Sequence, residues 1–264
     1  MTMLFMKKKY QLERFFVTWL MILFMILTDA FTAFAQVKQA TFLVNGISCD
    51  LEQGILKVEF VTPDVVRVQY TGENTFIGNG TDVCLPRAVD NPVRWVYTPN
   101  PDCYLLKSDS LIVRVDLSTA SITYLDKEGG LLLQEDQNIP RISEKRVTKQ
   151  VIYDEHSKHI EKTADGDKEI KNVLRYDTIG HTWKYRINFK WQPLEALYGW
   201  GAHMEDYMNL RGKELYLCQH NLKAMVPVLN STAGYGLLFD AGCAMMFKDC
   251  LLYTSDAADD RISV

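Results

Sequence analysis

Short runs in which apolar and polar residues alternate recur over the first two thirds of the chain. Ile55–Phe60 and Val65–Tyr70 show this pattern, which is typical of β-strands with one buried face. Thr62-Pro63-Asp64 lies between them and Asn45-Gly46 precedes them, and both are turn sequences. The pattern therefore predicts antiparallel hairpins in this part of the chain.

Further short apolar segments occur at similar spacing. They are Thr41–Val44, Tyr104–Leu106, Leu111–Val115, Ser121–Leu125 and Leu131–Leu133, with turn sequences at 108–110 and 126–130. No long stretch repeats its apolar residues every 3.6 positions, as a helix would require. Many short strands separated by turns predict an all-β fold, in the form of a β-sandwich.

The segment 144–171 is the most charged part of the chain and mixes both signs. Asp165-Gly166-Asp167 within it predicts a turn between two strands that face solvent, and it is too short for an EF-hand calcium loop. Nearby carboxylates and imidazoles suggest a metal site, but their spacing matches no common ligand pattern, so we predict a solvated loop. These residues are Asp154, Glu155, His156 and His159. Trp183–Trp191 then alternates again and predicts a strand whose apolar face lies on the core.

The segment Leu197–Asp240 departs from this simple strand-and-turn pattern. It contains, in order, L-Y-G-x-G-x-H (Leu197–His203), N-L-R-G-K (Asn209–Lys213), Q-H-N (Gln219–Asn221), V-P-V-L (Val226–Leu229) and G-Y-G-L-L-F-D (Gly234–Asp240). As a set, these motifs resemble glycoside hydrolase family 31, the α-glucosidase and α-xylosidase family. The resemblance extends weakly back to about residue 50. A generic all-β domain with Gly-Tyr turns is the alternative, because each motif alone is unspecific.

The resemblance implies a galactose mutarotase-like β-sandwich (a supersandwich) that precedes a catalytic (β/α)8 barrel, with the barrel missing from this chain. Retaining hydrolysis of a glycoside needs two carboxylates that flank the scissile bond. In the family both are aspartates on barrel loops, and no aspartate here matches the nucleophile motif. We therefore assign no catalytic residue and expect the chain alone to be inactive. The adjacent carboxylates Glu205 and Asp206 are interpreted as a surface loop or an interdomain contact. Tyr198 and Trp200 are expected at or near the face that packs on the barrel, where they form an exposed apolar patch in its absence.

The resemblance also implies a binding site. In the family, the loop after the strand that matches Leu215–Cys218 reaches over the barrel mouth and touches the sugar. Related enzymes often carry Arg-Asp there, whereas this chain carries Gln219-His220-Asn221. Because amide and imidazole groups can hydrogen-bond sugar hydroxyls, we predict that Gln219, His220 and Asn221 bind an α-linked oligosaccharide. The alternative is that they only stabilise the turn. No metal ion and no cofactor is predicted.

The first 35 residues match a secretory signal peptide. Lys7-Lys8-Lys9 precedes the apolar run Phe15–Leu27, and Ala33-Phe34-Ala35 fits a cleavage site before Gln36. The apolar run is short for a span of about 20 residues, which argues against the alternative of a stable membrane anchor. We therefore predict a secreted or periplasmic domain over residues 36–249. Residues 250–264 resemble a translated sequencing adapter at the end of an assembled gene, and a natural acidic terminus is the alternative.

Composition narrows the function classes further. The chain has 264 residues and a net charge of −4, and its Lys and Arg are scattered, so it lacks the basic footprint of a nucleic-acid-binding protein. The six cysteines form no CxxC pair, and we expect buried free thiols. Three interpretations remain: the N-terminal domain of a secreted retaining α-glycosidase, a stand-alone carbohydrate-binding module, and a structural or adhesive surface protein.

Overall fold

The computed structural model describes residues 36–76, 92–164, 166–221 and 223–249, and the backbone of 260–263. The predicted signal peptide and most of the predicted artefactual tail lie outside the described residues, so both assignments stay predictions.

The described residues form β-strands and a single 3₁₀ turn, Glu155–Ser157. Strands β1 to β9 are Val37–Leu43, Gly46–Leu51, Ile55–Thr62, Val65–Thr71, Val96–Pro99, Cys103–Lys107, Leu111–Asp116, Ile122–Asp126 and Leu131–Glu135. Strands β10 to β14 are Arg141–Tyr153, His159–Thr163, Gly166–Ile170, Val173–Ile187 and Phe189–Lys190. Strands β15 to β20 are Leu197–Ala202, Glu214–Leu217, Ala224–Ser231, Gly236–Leu238, Met245–Asp249 and Asp260–Ser263. A three-residue turn cannot cross a bilayer, and no longer apolar helix occurs within these ranges.

The strands assemble into antiparallel sheets. β1 to β4 form one sheet in chain order, and β5 to β9 form a second in reverse order with β14 at its edge. β16, β19, β20, β13 and β10 form a third sheet, β15, β17 and β18 a fourth, and β11 pairs with β12. Because a (β/α)8 barrel needs parallel strands, the described part of the chain contains none. The prediction of an all-β sandwich is confirmed.

Two apolar clusters form the interior. The first lies between the two N-terminal sheets and includes Ile47, Leu56, Phe60, Val113 and Ile122, each at most 1% exposed. The alternation predicted for Ile55–Phe60 produces this packing, because Leu56, Val58 and Phe60 are buried while the residues between them are only partly so.

The second cluster is built from residues later in the chain. It includes Phe189, Leu197, Trp200, Leu229 and Phe247. The side chain of Tyr124 packs against both clusters and so joins the two halves of the sandwich.

A buried ion pair lies near this junction. The carboxylate of Glu135 is fully buried and is bound by the guanidinium of Arg141, which is 6% exposed. Glu135 also accepts a hydrogen bond from the backbone N–H of Ile122 at 2.8 Å, and Arg141 donates to the Ala120 carbonyl at 2.7 Å. A buried charge pair is tolerated only when its other hydrogen-bonding atoms are satisfied, as several are here.

β10 and β13 form a long two-stranded ribbon that extends from the sandwich, and we call it the arm. The strand predicted for Trp183–Trp191 is divided, since β13 ends at Ile187 and β14 begins at Phe189. Asn188 causes the break, because its backbone N–H and side-chain amide donate to the carbonyls of Pro140 and Ile139 rather than to a partner strand. Beyond the arm, β11 and β12 pair with nearly every side chain exposed, which confirms the prediction of solvent-facing strands.

The cysteines agree with the expectation of free thiols where they are described. Cys49, Cys103, Cys218 and Cys243 are all free. The expected burial holds for Cys49 and Cys103 only, because Cys218 is half-buried and Cys243 is exposed. Burial raises the pKa of the Cys49 thiol to about 12.

Candidate functional site

The three predicted sugar-binding residues lie in the turn between β16 and β17, and all three are exposed. The side-chain oxygen of Gln219 accepts a hydrogen bond from the backbone N–H of Met225 at 2.9 Å. Gln219 therefore stabilises the turn, which is the role that the alternative interpretation gave to these residues.

His220 and Asn221 are placed differently from Gln219. The backbone N–H of Lys223 donates to the His220 carbonyl at 3.0 Å and closes the turn. Neither the His220 imidazole nor the Asn221 amide hydrogen-bonds to a described residue, and both side chains face solvent. The hydrogen-bond donors and acceptors of both side chains are thus available to a ligand. The hydrogen bond between Lys223 and His220 fixes the backbone that carries them.

A second group of polar residues, in the segment that follows β15, contacts the same turn. Ala202 at the end of β15 lies opposite Ala224 at the start of β17, which brings the residues beyond these positions together. The ammonium of Lys223 binds the carboxylate of Glu205 at 2.6 Å. This hydrogen bond from Lys223 holds the pKa of Glu205 below its usual value. The pair links the turn to the segment that follows β15.

His203 lies beside that pair and is nearly buried. Its imidazole is 9% exposed, and its Nδ1 atom is 3.9 Å from a carboxylate oxygen of Glu205, too far for a hydrogen bond. Both ring nitrogens lack a hydrogen-bond partner among the described residues. The adjacent carboxylates Glu205 and Asp206 have different surroundings, because Glu205 is tied to Lys223 while Asp206 is exposed.

The Y-G-W-G motif forms an unusual strand. Trp200 has a φ of 64°, and its neighbours Gly199 and Gly201 have φ values of 139° and 88°. A Cβ atom on Gly199 would lie 2.2 Å from the Val228 carbonyl oxygen, and one on Gly201 would lie 2.0 Å from that of Ala224. The two glycines are therefore required both by the backbone conformation and by the close approach of β17.

Trp200 does not lie on an exposed face, so that prediction is wrong. It is fully buried, with its ring centroid 5.3 Å from that of Phe239 and 5.8 Å from that of Phe247. The physical reason is the register, because three residues of β17 lie opposite this one residue of β15 and the left-handed conformation turns the ring inward. Tyr198, in contrast, is 39% exposed, as expected of a surface position.

The N-L-R-G-K motif holds the second cluster together. Arg211 donates to the buried carboxylate of Asp249 at 2.7 Å and to the carbonyls of Gln192 and Glu195 at 3.0 Å each. The backbone N–H of Gly212 donates to the same Asp249 oxygen at 2.7 Å. In the sequence this motif served only as part of the family resemblance, and the fork of donors on the largely buried Arg211 side chain shows that it ties three segments.

The possible metal ligands do not come together. Asp154 caps the 3₁₀ turn by accepting from the backbone N–H of His156 at 2.9 Å, and Glu155 pairs with Lys171. Across the described ranges, no three His, Cys, Asp or Glu side chains are arranged to hold a metal ion.

Residues 55–247 match the family model described as the glycosyl hydrolase 31 N-terminal galactose mutarotase-like domain. An uncharacterized family 31 glucosidase, ORF2 of Pseudescherichia vulneris, is 36% identical over 61 residues, which are 23% of this chain and 12% of that protein.

Solved structures with a similar fold come from several sources. The family 31 α-xylosidase of Xanthomonas citri is 19% identical, with a TM-score of 0.56 over 78% of this chain and 19% of that chain. A family 31 dextranase of Flavobacterium johnsoniae is 14% identical, with a TM-score of 0.61 over 87% and 24% of the two chains. A family 31 α-xylosidase from a soil metagenome is 16% identical, with a TM-score of 0.59 over 86% and 30%. At these identities the likeness shows the fold.

The chain thus spans less than a third of the length of each of these relatives. The family model nevertheless covers most of the chain and describes the same sandwich that the strands form. The chain belongs to glycoside hydrolase family 31, as its N-terminal galactose mutarotase-like domain.

Proposed function

We propose that this chain is the N-terminal domain of a secreted retaining α-glycosidase, either an α-glucosidase or an α-xylosidase. In this proposal a catalytic (β/α)8 barrel of the same protein performs the hydrolysis. The sandwich supports that barrel and contributes His220 and Asn221 to the binding of an α-linked oligosaccharide. Family membership and the sugar hydrolases with the same fold support the proposal.

One observation carries the binding role. Gln219 and the backbone of Lys223 fix the turn, while the two side chains at its tip remain exposed with their polar atoms unengaged by described residues. A polar side chain needed only for the turn would form its hydrogen bonds within the turn, as that of Gln219 does. His220 can donate or accept and Asn221 can do both, which suits sugar hydroxyls.

In this proposal the barrel supplies the catalytic carboxylates and the sandwich supplies only binding, for a chemical reason. Retaining hydrolysis requires a nucleophilic carboxylate and an acid–base carboxylate about 5 Å apart across the scissile bond. Glu205, the carboxylate tied to the turn, is already bound to Lys223, and the adjacent Asp206 is exposed. Binding a sugar without these groups does not accelerate its hydrolysis.

The deciding experiment is to sequence the gene in its genomic context beyond codon 249. The proposal expects an open reading frame that continues into a (β/α)8 barrel with two catalytic aspartates. A natural stop codon with no barrel would reject the proposal and leave the stand-alone carbohydrate-binding module, which calorimetry with isomaltotriose on the purified chain would then test.

The binding role has its own test in the full-length enzyme. Replacing His220 or Asn221 with alanine should raise KM for an α-glycoside about 2- to 10-fold, the cost of one lost hydrogen bond. His159→Ala and Asn230→Ala remove exposed side chains of the same types elsewhere and should leave KM unchanged. If all four variants behave alike, the turn has no part in binding.

A further inference from the structure

The arm carries exposed basic and aromatic side chains beyond the part that packs on the sandwich. Its strands β10 and β13 are 13 and 15 residues long. At about 3.3 Å per residue the ribbon spans about 40 Å. Its base is anchored, because the Trp183 indole N–H donates to Glu73 at 3.0 Å and Tyr185 packs edge-on against Tyr70. Beyond this anchor most side chains on both strands are exposed.

The pairing register separates the side chains of the arm into two faces. Residues directly opposite each other in an antiparallel pair share a face, and alternate residues of β10 share it. β13 has a bulge at each of two register shifts, Thr148/Lys149 and Ile152/Tyr153, and there its residues on this face are three positions apart instead of two. Lys145 pairs with Trp183, Val147 with His181, Lys149 with Thr178, Val151 with Tyr176 and Tyr153 with Val173. These five pairs form one face, which we call the arm face, and it contains lysines, a histidine and aromatic rings but no carboxylate.

The acidic residues of the arm lie on the opposite face. They are Glu144 and Asp177, and each is neutralised by a neighbour on its own strand: Glu144 by Arg146 at 2.6 Å and Asp177 by Arg175 at 2.9 Å. The two strands together contain seven Lys and Arg residues but only two Asp and Glu, in a chain whose net charge is −4. Basic residues are therefore enriched on the arm. Two of them, Lys145 and Lys149, lie on the arm face, where neither strand supplies a carboxylate.

The apolar groups of the arm face are exposed beside this charge. Val147 is 51% exposed, Tyr153 49% and Tyr176 62%. A two-stranded ribbon has no core of its own, so exposed rings on it gain little from folding. The ammonium of Lys145 lies 5.6 Å from the centre of the Trp183 ring, a cation–π contact that shows how closely the charges and rings interleave.

We propose that the arm face binds an anionic polysaccharide, one that carries carboxylates on its sugar rings. Tyr153 and Tyr176 offer flat faces to the apolar sides of the sugar rings, while Lys145 and Lys149 pair with the carboxylates. An extended polymer fits an extended ribbon, and membership of a glycoside hydrolase family favours carbohydrate over other anionic polymers. This surface is separate from the turn at His220 and does not depend on the function proposed for it.

The test measures binding of the purified chain to immobilised polygalacturonate, with neutral dextran as the comparison. We expect tighter binding to polygalacturonate than to dextran, and several-fold weaker binding to polygalacturonate at 200 mM than at 50 mM salt, because salt screens exposed charges. The double variant Lys149→Gln/Tyr176→Ser should bind about tenfold more weakly, which corresponds to about 1.4 kcal/mol. Lys168→Gln removes an exposed lysine from β12 and should bind like the parent chain.

Three outcomes would overturn the proposal. The first is equal binding to dextran and polygalacturonate, and the second is unchanged binding by the double variant when its circular dichroism matches that of the parent. The third is tighter binding to a single-stranded oligonucleotide than to polygalacturonate, which would assign the same rings and lysines to nucleic acid.

Discussion

Replacing Tyr235 with phenylalanine tests the polar centre that joins β15, β17 and the loop before them. Glu195 is 7% exposed, and three donors satisfy its carboxylate. They are the hydroxyl of Tyr235, the hydroxyl of Ser231 at 2.5 Å and the backbone N–H of Gln192 at 2.7 Å. The substitution removes one donor and creates almost no cavity.

The magnitude follows from this arrangement. A hydrogen bond to a charged group contributes about 1.5–3 kcal/mol net, and a buried carboxylate that loses a donor cannot recruit bulk water in its place. Two donors remain, so we expect a loss near the lower end, about 2 kcal/mol in the free energy of unfolding. Tyr216→Phe removes the hydroxyl of a 54% exposed tyrosine on β16 and should change that free energy by less than about 0.5 kcal/mol.

The assay is urea unfolding of both variants and the parent chain at pH 7 and pH 10.5. Burial, and then the hydrogen bond to Glu195, raise the pKa of Tyr235 above its ordinary value of about 10. A group whose folded-state pKa is raised contributes stability that is complete below the unfolded pKa and is lost as the pH rises through the folded one. At pH 10.5 the parent should lose about 0.8 kcal/mol that Tyr235→Phe cannot lose, so the difference between them should shrink by that amount.

Two results would refute this reasoning. If Tyr235→Phe and Tyr216→Phe destabilise the chain equally at pH 7, the Tyr235 hydroxyl does not support the Glu195 carboxylate. If the difference between the parent and Tyr235→Phe stays constant up to pH 10.5, the phenol does not titrate differently in the folded and unfolded states.

Other perturbations have equally direct expectations. Arg211→Lys should cost about 2–3 kcal/mol in urea unfolding, because an ammonium cannot reach Asp249 and two carbonyls together; a loss below about 0.5 kcal/mol would contradict that role. Trp200→Ala should cost about 3–5 kcal/mol for a buried aromatic, against little change if the ring were exposed as the sequence predicted. In the native chain at pH 8, iodoacetamide should modify the exposed Cys243 and spare Cys49, as mapped by mass spectrometry, and urea should abolish that protection. The purified chain should not hydrolyse 4-nitrophenyl α-glucoside or α-xyloside above the buffer rate, and turnover abolished by a substitution within this chain would locate an active site here.

Local sequence was sufficient to predict the N-terminal hairpins. Asn45 and Pro63-Asp64 lie between strands, and Gly46 and Thr62 are the adjoining strand ends, close to the predicted limits. The prediction succeeds because turn chemistry and alternation act over a few neighbouring residues. The apolar face of Ile55–Phe60 could be predicted for the same reason. The charged strands after residue 158 were also recognisable, since they have too few apolar residues to be buried.

The geometry of the turn and of Trp200 could not be predicted in this way. Whether Trp200 faces inward depends on three residues of β17 that lie opposite it, and that register is set by tertiary packing. The link from Lys223 to Glu205 likewise requires β15 and β17 to be paired before the two residues meet. The motif order indicated where the candidate site lies, and the pairing of distant strands determines which side chains are free there.

The division of the interior into two clusters has a consequence for how the chain folds during synthesis. Every buried member of the first cluster lies between Ile47 and Ile122, whereas the second extends from Leu133 to Phe247. At about 5–20 residues per second, the ribosome needs on the order of ten seconds to supply the remainder. Because its hairpins join neighbouring strands, the first cluster can form within that interval. Until Phe247 emerges, the side of Tyr124 that packs on the second cluster would be exposed on the nascent chain. This exposed apolar surface favours aggregation, against which chaperones would protect it.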